Sequence, residues 1–225
     1  MDLRSIVLML SSALLALSSF FYGWKVVKKR NYLLGIEMWV VGVSATNAIG
    51  FFATGNAVSY EVAHFFDAFS RGFGMPIIAV AGLMAITHNY KPSGRVDVLL
   101  FVAATAITLV FVTTHFFDGV LAYYNVVMWT LFSLYLAYFI KRLLGIGAGF
   151  QATALLVGLV TSQAIACIYD FYKIPGDETN VVFNFYTLAL CSWAYLMAAI
   201  YYAYCALERA QNRGIVVSRH VPVSN

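Results

Sequence analysis

Residues 96–115 read VDVLLFVAATAITLVFVTTH, a run whose only charged side chain is Asp97. A bilayer core about 30 Å thick requires about 20 residues of apolar helix to cross it. This stretch therefore predicts a transmembrane helix. The whole chain of 225 residues agrees, because 62% of it is hydrophobic, 11% is charged and its mean hydropathy is +0.80. Soluble domains do not have this composition.

Further apolar runs on either side of this stretch bring the number of predicted membrane spans to seven. They cover residues 5–24, 33–54, 63–88, 96–115, 119–140, 147–170 and 181–205. The connections are short and carry helix breakers, as in Lys91-Pro92-Ser93-Gly94-Arg95. We therefore predict an all-α fold, a polytopic membrane bundle of seven transmembrane helices. It forms one domain over 1–210, followed by a short cytoplasmic tail over 211–225.

Lysine and arginine orient the bundle, because basic residues resist translocation across the membrane. One side carries Lys25, Lys28, Lys29, Arg30, Lys91, Arg95, Lys141, Arg142, Arg209, Arg213 and Arg219, and the other has only Arg4 and Lys173. We predict an outer N-terminus and a cytoplasmic C-terminus, in an inner (cytoplasmic) or plasma membrane. Because the basic residues cluster at span ends, the net charge of +4 indicates contact with a lipid bilayer and no nucleic acid.

A repeated tetrapeptide supplies the strongest functional signal. His64-Phe65-Phe66-Asp67 recurs as His115-Phe116-Phe117-Asp118, and both copies lie at the predicted outer boundary. On the third span, positions 64, 67 and 71 share one helical face, so a histidine, a carboxylate and a guanidinium form one stripe. Asp67 is the expected ion-pair partner of Arg71 at the i, i+4 spacing. The following Gly72-Phe73-Gly74-Met75-Pro76 predicts a kink or hinge.

Other polar side chains are predicted at the same outer level, which indicates an outward-facing polar pocket. Tyr169, Asn184 and Tyr186 belong to this level, and the predicted ligand-binding residues are His64, Asp67, Arg71, Asn47, Tyr123, Tyr124, Asn125 and Asp170. Intramembrane charges normally pair or face such a cavity. The leading hypothesis is a small-molecule permease or ligand-binding membrane protein, in which Arg71 meets a small anionic or carboxylate group.

A divalent metal is an alternative use of the same residues. His64, His115, Asp67 and Asp118 offer nitrogen and oxygen ligands suited to zinc or a similar ion. The protein would then be a metal-dependent membrane hydrolase acting on a lipid or amphiphile at the outer leaflet. No other cofactor is predicted. For the 115–118 copy a simpler interpretation also stays open, in which its side chains are solvated among the lipid headgroups.

A third hypothesis is a seven-helix sensor or a subunit of a membrane complex, either as a homo-oligomer or with a partner subunit. The basic tail from Glu208 to His220 would then contact a cytoplasmic protein or anionic lipid. Glu37, close to the inner end of the second span, has two interpretations: its carboxylate snorkels to the interface, or it is a proton-coupling group. Whether the protein is an enzyme is left open by these alternatives.

Overall fold

The structure is a computed structural model that describes residues 2–114, 118–171, 180–182 and 184–214, with Asp118 described by its backbone alone. The described chain folds into helices. These are α1 (Leu3–Lys28), α2 (Tyr32–Thr54), α3 (Ala57–Phe69), a π-helical segment (Ser70–Ala79), α4 (Val80–Thr87), α5 (Gly94–Thr113), α6 (Asp118–Gly145), α7 (Gly149–Tyr169) and α8 (Phe185–Asn212).

The third membrane span is continuous from Ala57 to Thr87, because α3, the π-helical segment and α4 follow one another without a break. Counted this way, the described residues contain seven helices that are long and apolar enough to cross a membrane. The predicted all-α, seven-helix bundle is confirmed. The chain is a multi-pass membrane protein.

The observed helix ends differ from the predicted ones where polar residues extend or cap a helix. The third span begins at Ala57 rather than at residue 63, because the Asn56 side chain accepts hydrogen bonds from the backbone of the first turn. α8 continues to Asn212, so the first residues assigned to the tail belong to this helix. Residues 215–225 of that tail lie outside the described chain.

Close helix packing in the bundle depends on glycines at two crossings. A Cβ atom added to Gly23 of α1 would lie 2.9 Å from the carbonyl oxygen of Gly35 on α2. One added to Gly82 of α4 would lie 2.7 Å from the Leu34 backbone nitrogen. α8 packs against α1, α4, α6 and α7, and the main apolar core forms around it. α5 lies at the edge, and Ala104 and Thr108 are its buried residues.

The predicted kink at residues 72–76 is realised as a π-helix. Ten consecutive residues, Ser70–Ala79, adopt this form, with Pro76 inside it. Proline has no backbone N–H and disrupts the α-helical ladder, and the two nearby glycines add conformational freedom. The wider i→i+5 turn keeps the helix continuous, and π-helical turns are found frequently at functional sites.

Candidate functional site

The centre of the candidate site is an ion cluster formed by Asp67, Arg71 and Asp170, which we call the Arg71 cluster. Arg71 Nε lies 3.0 Å from Asp67 Oδ2, and Arg71 Nη1 lies 2.8 Å from Asp170 Oδ2. Arg71 is only 7% exposed. The i, i+4 pairing expected from the sequence is present, and α7 supplies a second carboxylate.

Side chains from α6 and α7 hold this cluster in place. The Tyr169 ring lies under the guanidinium, with its centroid 4.3 Å from Arg71 Cζ, which is a cation–π geometry. Asn125 of α6 donates from Nδ2 to Asp170 Oδ2 over 3.3 Å. Asp170 is the C-cap residue of α7, where a negative charge is unfavourable unless a cation compensates it. Arg71 provides that cation.

The Arg71 cluster has a formal excess of one negative charge, because two carboxylates face one guanidinium. Arg71 Nε and Nη1 are both engaged by these carboxylates. A ligand carboxylate approaching Arg71 would therefore meet two like charges at short range. The Asp67 and Asp170 side chains remain 20% and 21% exposed, so a cationic group could reach their oxygens.

A cavity of about 580 Å³ adjoins the cluster in the half of the bundle that contains the α2–α3 turn, predicted to be the outer half. Its polar lining includes His64, Asp67, Ser70, Arg71, Tyr169 and Asp170. Aromatic side chains make up much of the wall, namely Phe51, Phe52, Tyr60, Phe66, Trp129, Tyr186 and Trp193. We call it the Arg71 cavity. The apolar core closes the bundle beyond its innermost lining residues, such as Met75 and Met197.

The stripe of His64, Asp67 and Arg71 faces this cavity as one unit. His64 stacks on Tyr60, with ring centroids 5.9 Å apart and an interplanar angle of 6°. Tyr169 and Asp170 from α7 form the facing wall, together with Tyr186 from α8. The structure therefore brings six of the residues singled out from the sequence into one cavity.

Four other predicted ligand-binding residues do not line the Arg71 cavity. Asn47 donates to the Val43 carbonyl oxygen within α2, and Tyr123 is 63% exposed. Tyr124 donates to the Gly72 carbonyl oxygen over 3.1 Å and so supports the π-helical segment. Asn125 does not line the cavity itself but donates a hydrogen bond to Asp170, which does.

The predicted metal site falls partly outside the described chain. His115 is not described, and neither is the Asp118 side chain. Among the side chains that are described, no group of three or more His, Cys, Asp and Glu residues is close enough to hold a metal ion. His64 and Asp67 lie in the Arg71 cavity, where Arg71 would add positive charge beside a bound metal. The metal hypothesis therefore stays a prediction.

Two tryptophans of the cavity were not singled out from the sequence. Trp129 and Trp193 lie well inside α6 and α8, with ring centroids 6.4 Å apart. Neither indole nitrogen has a hydrogen-bond partner within the described part of the chain. Tryptophans of membrane proteins concentrate in the interfacial belts, so a tryptophan deep in a span is a signal that could have identified this wall.

Glu37 is buried in the bundle and does not snorkel to the interface. Its exposed fraction is 0%, and neither carboxyl oxygen has a hydrogen-bond partner among the described residues. The carboxyl group packs on Gly74 of the π-helical segment, so closely that a methyl group on Gly74 would collide with it. This excludes the interfacial interpretation of Glu37.

No family model, no curated protein and no solved structure matches this chain.

Proposed function

We propose that this membrane protein binds a small hydrophobic organic cation in the Arg71 cavity and carries it across the membrane. The observation on which the proposal depends is the joint presence of aromatic walls and a formally negative ion cluster in one cavity. This proposal keeps the permease hypothesis from the sequence. It replaces the expected anionic ligand with a cationic one, because Arg71 already has two carboxylate partners.

The aromatic walls support a ligand that is both apolar and cationic. Aromatic faces attract organic cations electrostatically, by about 0.5–2 kcal/mol for each well-placed ring. Seven phenylalanine, tyrosine and tryptophan residues line the cavity in addition to Tyr169, which already contacts Arg71. Asp67 and Asp170 add oxygens that attract the positive group. An anion would gain little from either feature.

The third span supports the transport part of the proposal. Arg71 and Met75 line the cavity, and both belong to the π-helical segment that contains Pro76. Packed apolar residues of the main core lie beyond the innermost residues of the cavity, as expected for a cavity that opens to one side of the membrane. Carriers alternate between such one-sided conformations, and interrupted helices commonly form their binding sites.

The binding proposal can be tested with two probes that share a two-ring frame and differ in charge. These are 1-methyl-4-phenylpyridinium, a cation, and biphenyl-4-carboxylate, an anion. With purified protein in lipid nanodiscs, we expect saturable binding of the cation and none of the anion. Asp170→Asn should weaken cation binding by about tenfold, or ~1.4 kcal/mol. Tyr123→Phe, a change on an exposed side chain outside the cavity, should leave binding unchanged.

Each contrary result has a defined meaning. Saturable binding of biphenyl-4-carboxylate that depends on Arg71 would restore the anionic ligand predicted from the sequence. Failure of both probes to bind would refute the organic-cation proposal. Uptake of radiolabelled 1-methyl-4-phenylpyridinium into proteoliposomes, compared with protein-free liposomes, tests transport separately. Binding without uptake would contradict the carrier function and leave a ligand-binding protein.

A further inference from the structure

Glu37 forms a second polar site, distinct from the Arg71 cavity. It is the only fully buried carboxylate side chain in the described residues, and its two oxygens lack hydrogen-bond partners there. The cavity lining does not include it. The proposed binding of an organic cation gives this side chain no role.

The surroundings of Glu37 contain no charge that could balance an ionised carboxylate. α2 packs against α1, α3, the π-helical segment and α4. The titratable side chains of these elements are Arg4, Tyr22, Lys25 and Lys28 on α1, Tyr60, Glu61, His64 and Asp67 on α3, and Arg71 in the π-helical segment. In the described structure none of them forms an ion pair with Glu37, and Arg71 is engaged by Asp67 and Asp170. α4 has no titratable side chain.

The Ser70 hydroxyl lies beside the Glu37 carboxyl group, and the oxygens of both side chains lack a partner that meets hydrogen-bond geometry. A carboxylate buried without a cation or a donor costs several kcal/mol, so the surroundings accommodate the neutral acid far better. For Glu37 to ionise, water or donors must reach its oxygens. Gly74 blocks that approach, because its backbone packs directly on the carboxyl group.

The π-helical segment contacts both sites. Ser70, Arg71 and Met75 line the cavity, while Gly74 covers Glu37. Pro76 in the same segment cannot donate a backbone hydrogen bond, which lowers the cost of a local rearrangement. A displacement that uncovers Glu37 therefore also moves cavity-lining residues. This shared segment is a physical route for coupling between the two sites.

We propose that Glu37 is a proton-binding site, and that release of its proton through movement of the π-helical segment is linked to binding of the organic cation in the Arg71 cavity. The O–H bond of the Glu37 carboxyl group breaks, the proton passes to water admitted by the movement, and the carboxylate remains. The linkage rests on the proposed function, whereas the proton site does not. Because linkage is reciprocal, acidification should weaken cation binding.

The proton site can be tested without any ligand. Infrared difference spectra of the full chain in nanodiscs, recorded between acidic and alkaline pH, should contain the C=O band of a carboxylic acid that loses its proton. Glu37→Gln should abolish this band. Asp97→Asn, which removes another carboxyl with an unpartnered oxygen, should leave it in place. A band that survives Glu37→Gln, or a Glu37 band that does not titrate, would overturn the proposal.

The linkage is tested by measuring the affinity for 1-methyl-4-phenylpyridinium across pH. For the unaltered protein we expect the affinity to fall by up to about tenfold per pH unit on acidification, as for competition with one proton. Glu37→Gln, which mimics the neutral acid, should show the weak low-pH affinity at every pH. His64→Gln, at the histidine that lines the cavity, is the matched control and should retain most of the pH dependence.

The outcomes separate the two proposals. If 1-methyl-4-phenylpyridinium does not bind at any pH, the proposed function fails, and the infrared result still decides the proton site. If the cation binds and Glu37→Gln keeps the full pH dependence, the linkage is wrong while the proposed function stands.

Discussion

Arg71 and Asp170 lie 99 positions apart in the chain, yet Arg71 Nη1 and Asp170 Oδ2 are 2.8 Å apart. This contact joins the third span to the end of α7. Arg71 simultaneously holds Asp67 from its own helix, so one buried guanidinium fixes two carboxylates at the cavity wall. Both the stability of the bundle and the charge of the cavity therefore depend on Arg71.

Replacing Arg71 with methionine should strongly destabilise the protein. The substitution leaves Asp67 and Asp170 without their cation. Loss of one partner from a fully buried ion pair typically costs about 3–5 kcal/mol, and the cost here should be smaller because the two carboxylate side chains are 20% and 21% exposed. Thermal unfolding of the purified protein in detergent should show a large fall in Tm. The triple change Arg71→Met, Asp67→Asn, Asp170→Asn also removes the uncompensated charges, so it should recover much of the lost Tm. An unchanged Tm for Arg71→Met would contradict the cluster.

The Tyr169 ring should contribute through its face rather than through its hydroxyl group. Tyr169→Phe keeps the ring under the guanidinium and should leave Tm unchanged. Tyr169→Leu removes the cation–π contact at 4.3 Å and should cost about 0.5–2 kcal/mol beyond the change in packing. The comparison uses the same thermal unfolding measurement. Equal effects of the two substitutions would show that the ring face contributes nothing specific.

Gly74→Ala should be among the most damaging small substitutions in the third span. The added methyl group collides with the buried Glu37 carboxyl group, which must move for the methyl group to fit. Gly72→Ala is the matched control, because its Cβ would lie 3.3 Å from a Tyr124 ring carbon, a contact that a small shift relieves. Adding Glu37→Ala should restore stability to Gly74→Ala, as measured by Tm and by yield of folded protein. If Glu37→Ala does not restore stability, the contact between Glu37 and Gly74 is not the cause of the destabilisation by Gly74→Ala.

At the predicted inner end, Lys29 donates a hydrogen bond to Glu208, and this raises the pKa of Lys29 above the ordinary value of 10.5. A raised lysine pKa means that the ion pair stabilises the fold fully below pH 10.5 and loses this effect as pH rises through the raised value. Both side chains are partly exposed, so the contribution is about 0.2–1 kcal/mol. Lys29→Gln should therefore lower Tm at neutral pH and converge with the unaltered protein at strongly alkaline pH. Lys91→Gln, at an exposed lysine, should have no effect at either pH.

The sequence was sufficient to predict the seven-helix bundle, because the length and apolar composition of each span are local properties. The same holds for the His64, Asp67 and Arg71 stripe, since helical spacing alone places these residues on one face. The contact between Arg71 and Asp170 could not be predicted from helical spacing, because it depends on where α7 packs. Asp170 was identified as a polar residue at the right depth, but depth does not determine which neighbour a side chain contacts.

Two further features could be predicted only in part, for a similar reason. Trp129 and Trp193 become a cavity wall only when α6 and α8 converge. The residues Gly72, Gly74 and Pro76 indicated a break in helical regularity. Both a bend and a π-helix accommodate the missing N–H of proline. The π-helix packs against Glu37 and Tyr124, contacts that the sequence does not show.

The π-helix sets the angular phase of the third span. Before it, α3 directs His64 and Asp67 toward the cavity; after it, α4 sets Gly82 against α2. One residue corresponds to about 100° of rotation in an α-helix. A π-helical turn contains more residues than an α-helical turn, so restoring α-helical hydrogen bonding over Ser70–Ala79 without changing its length would preserve both flanking helices but rotate one against the other. Either the charged stripe or the glycine face would then turn away from its partners, so the π-helical form of this segment keeps the two halves of the helix in register.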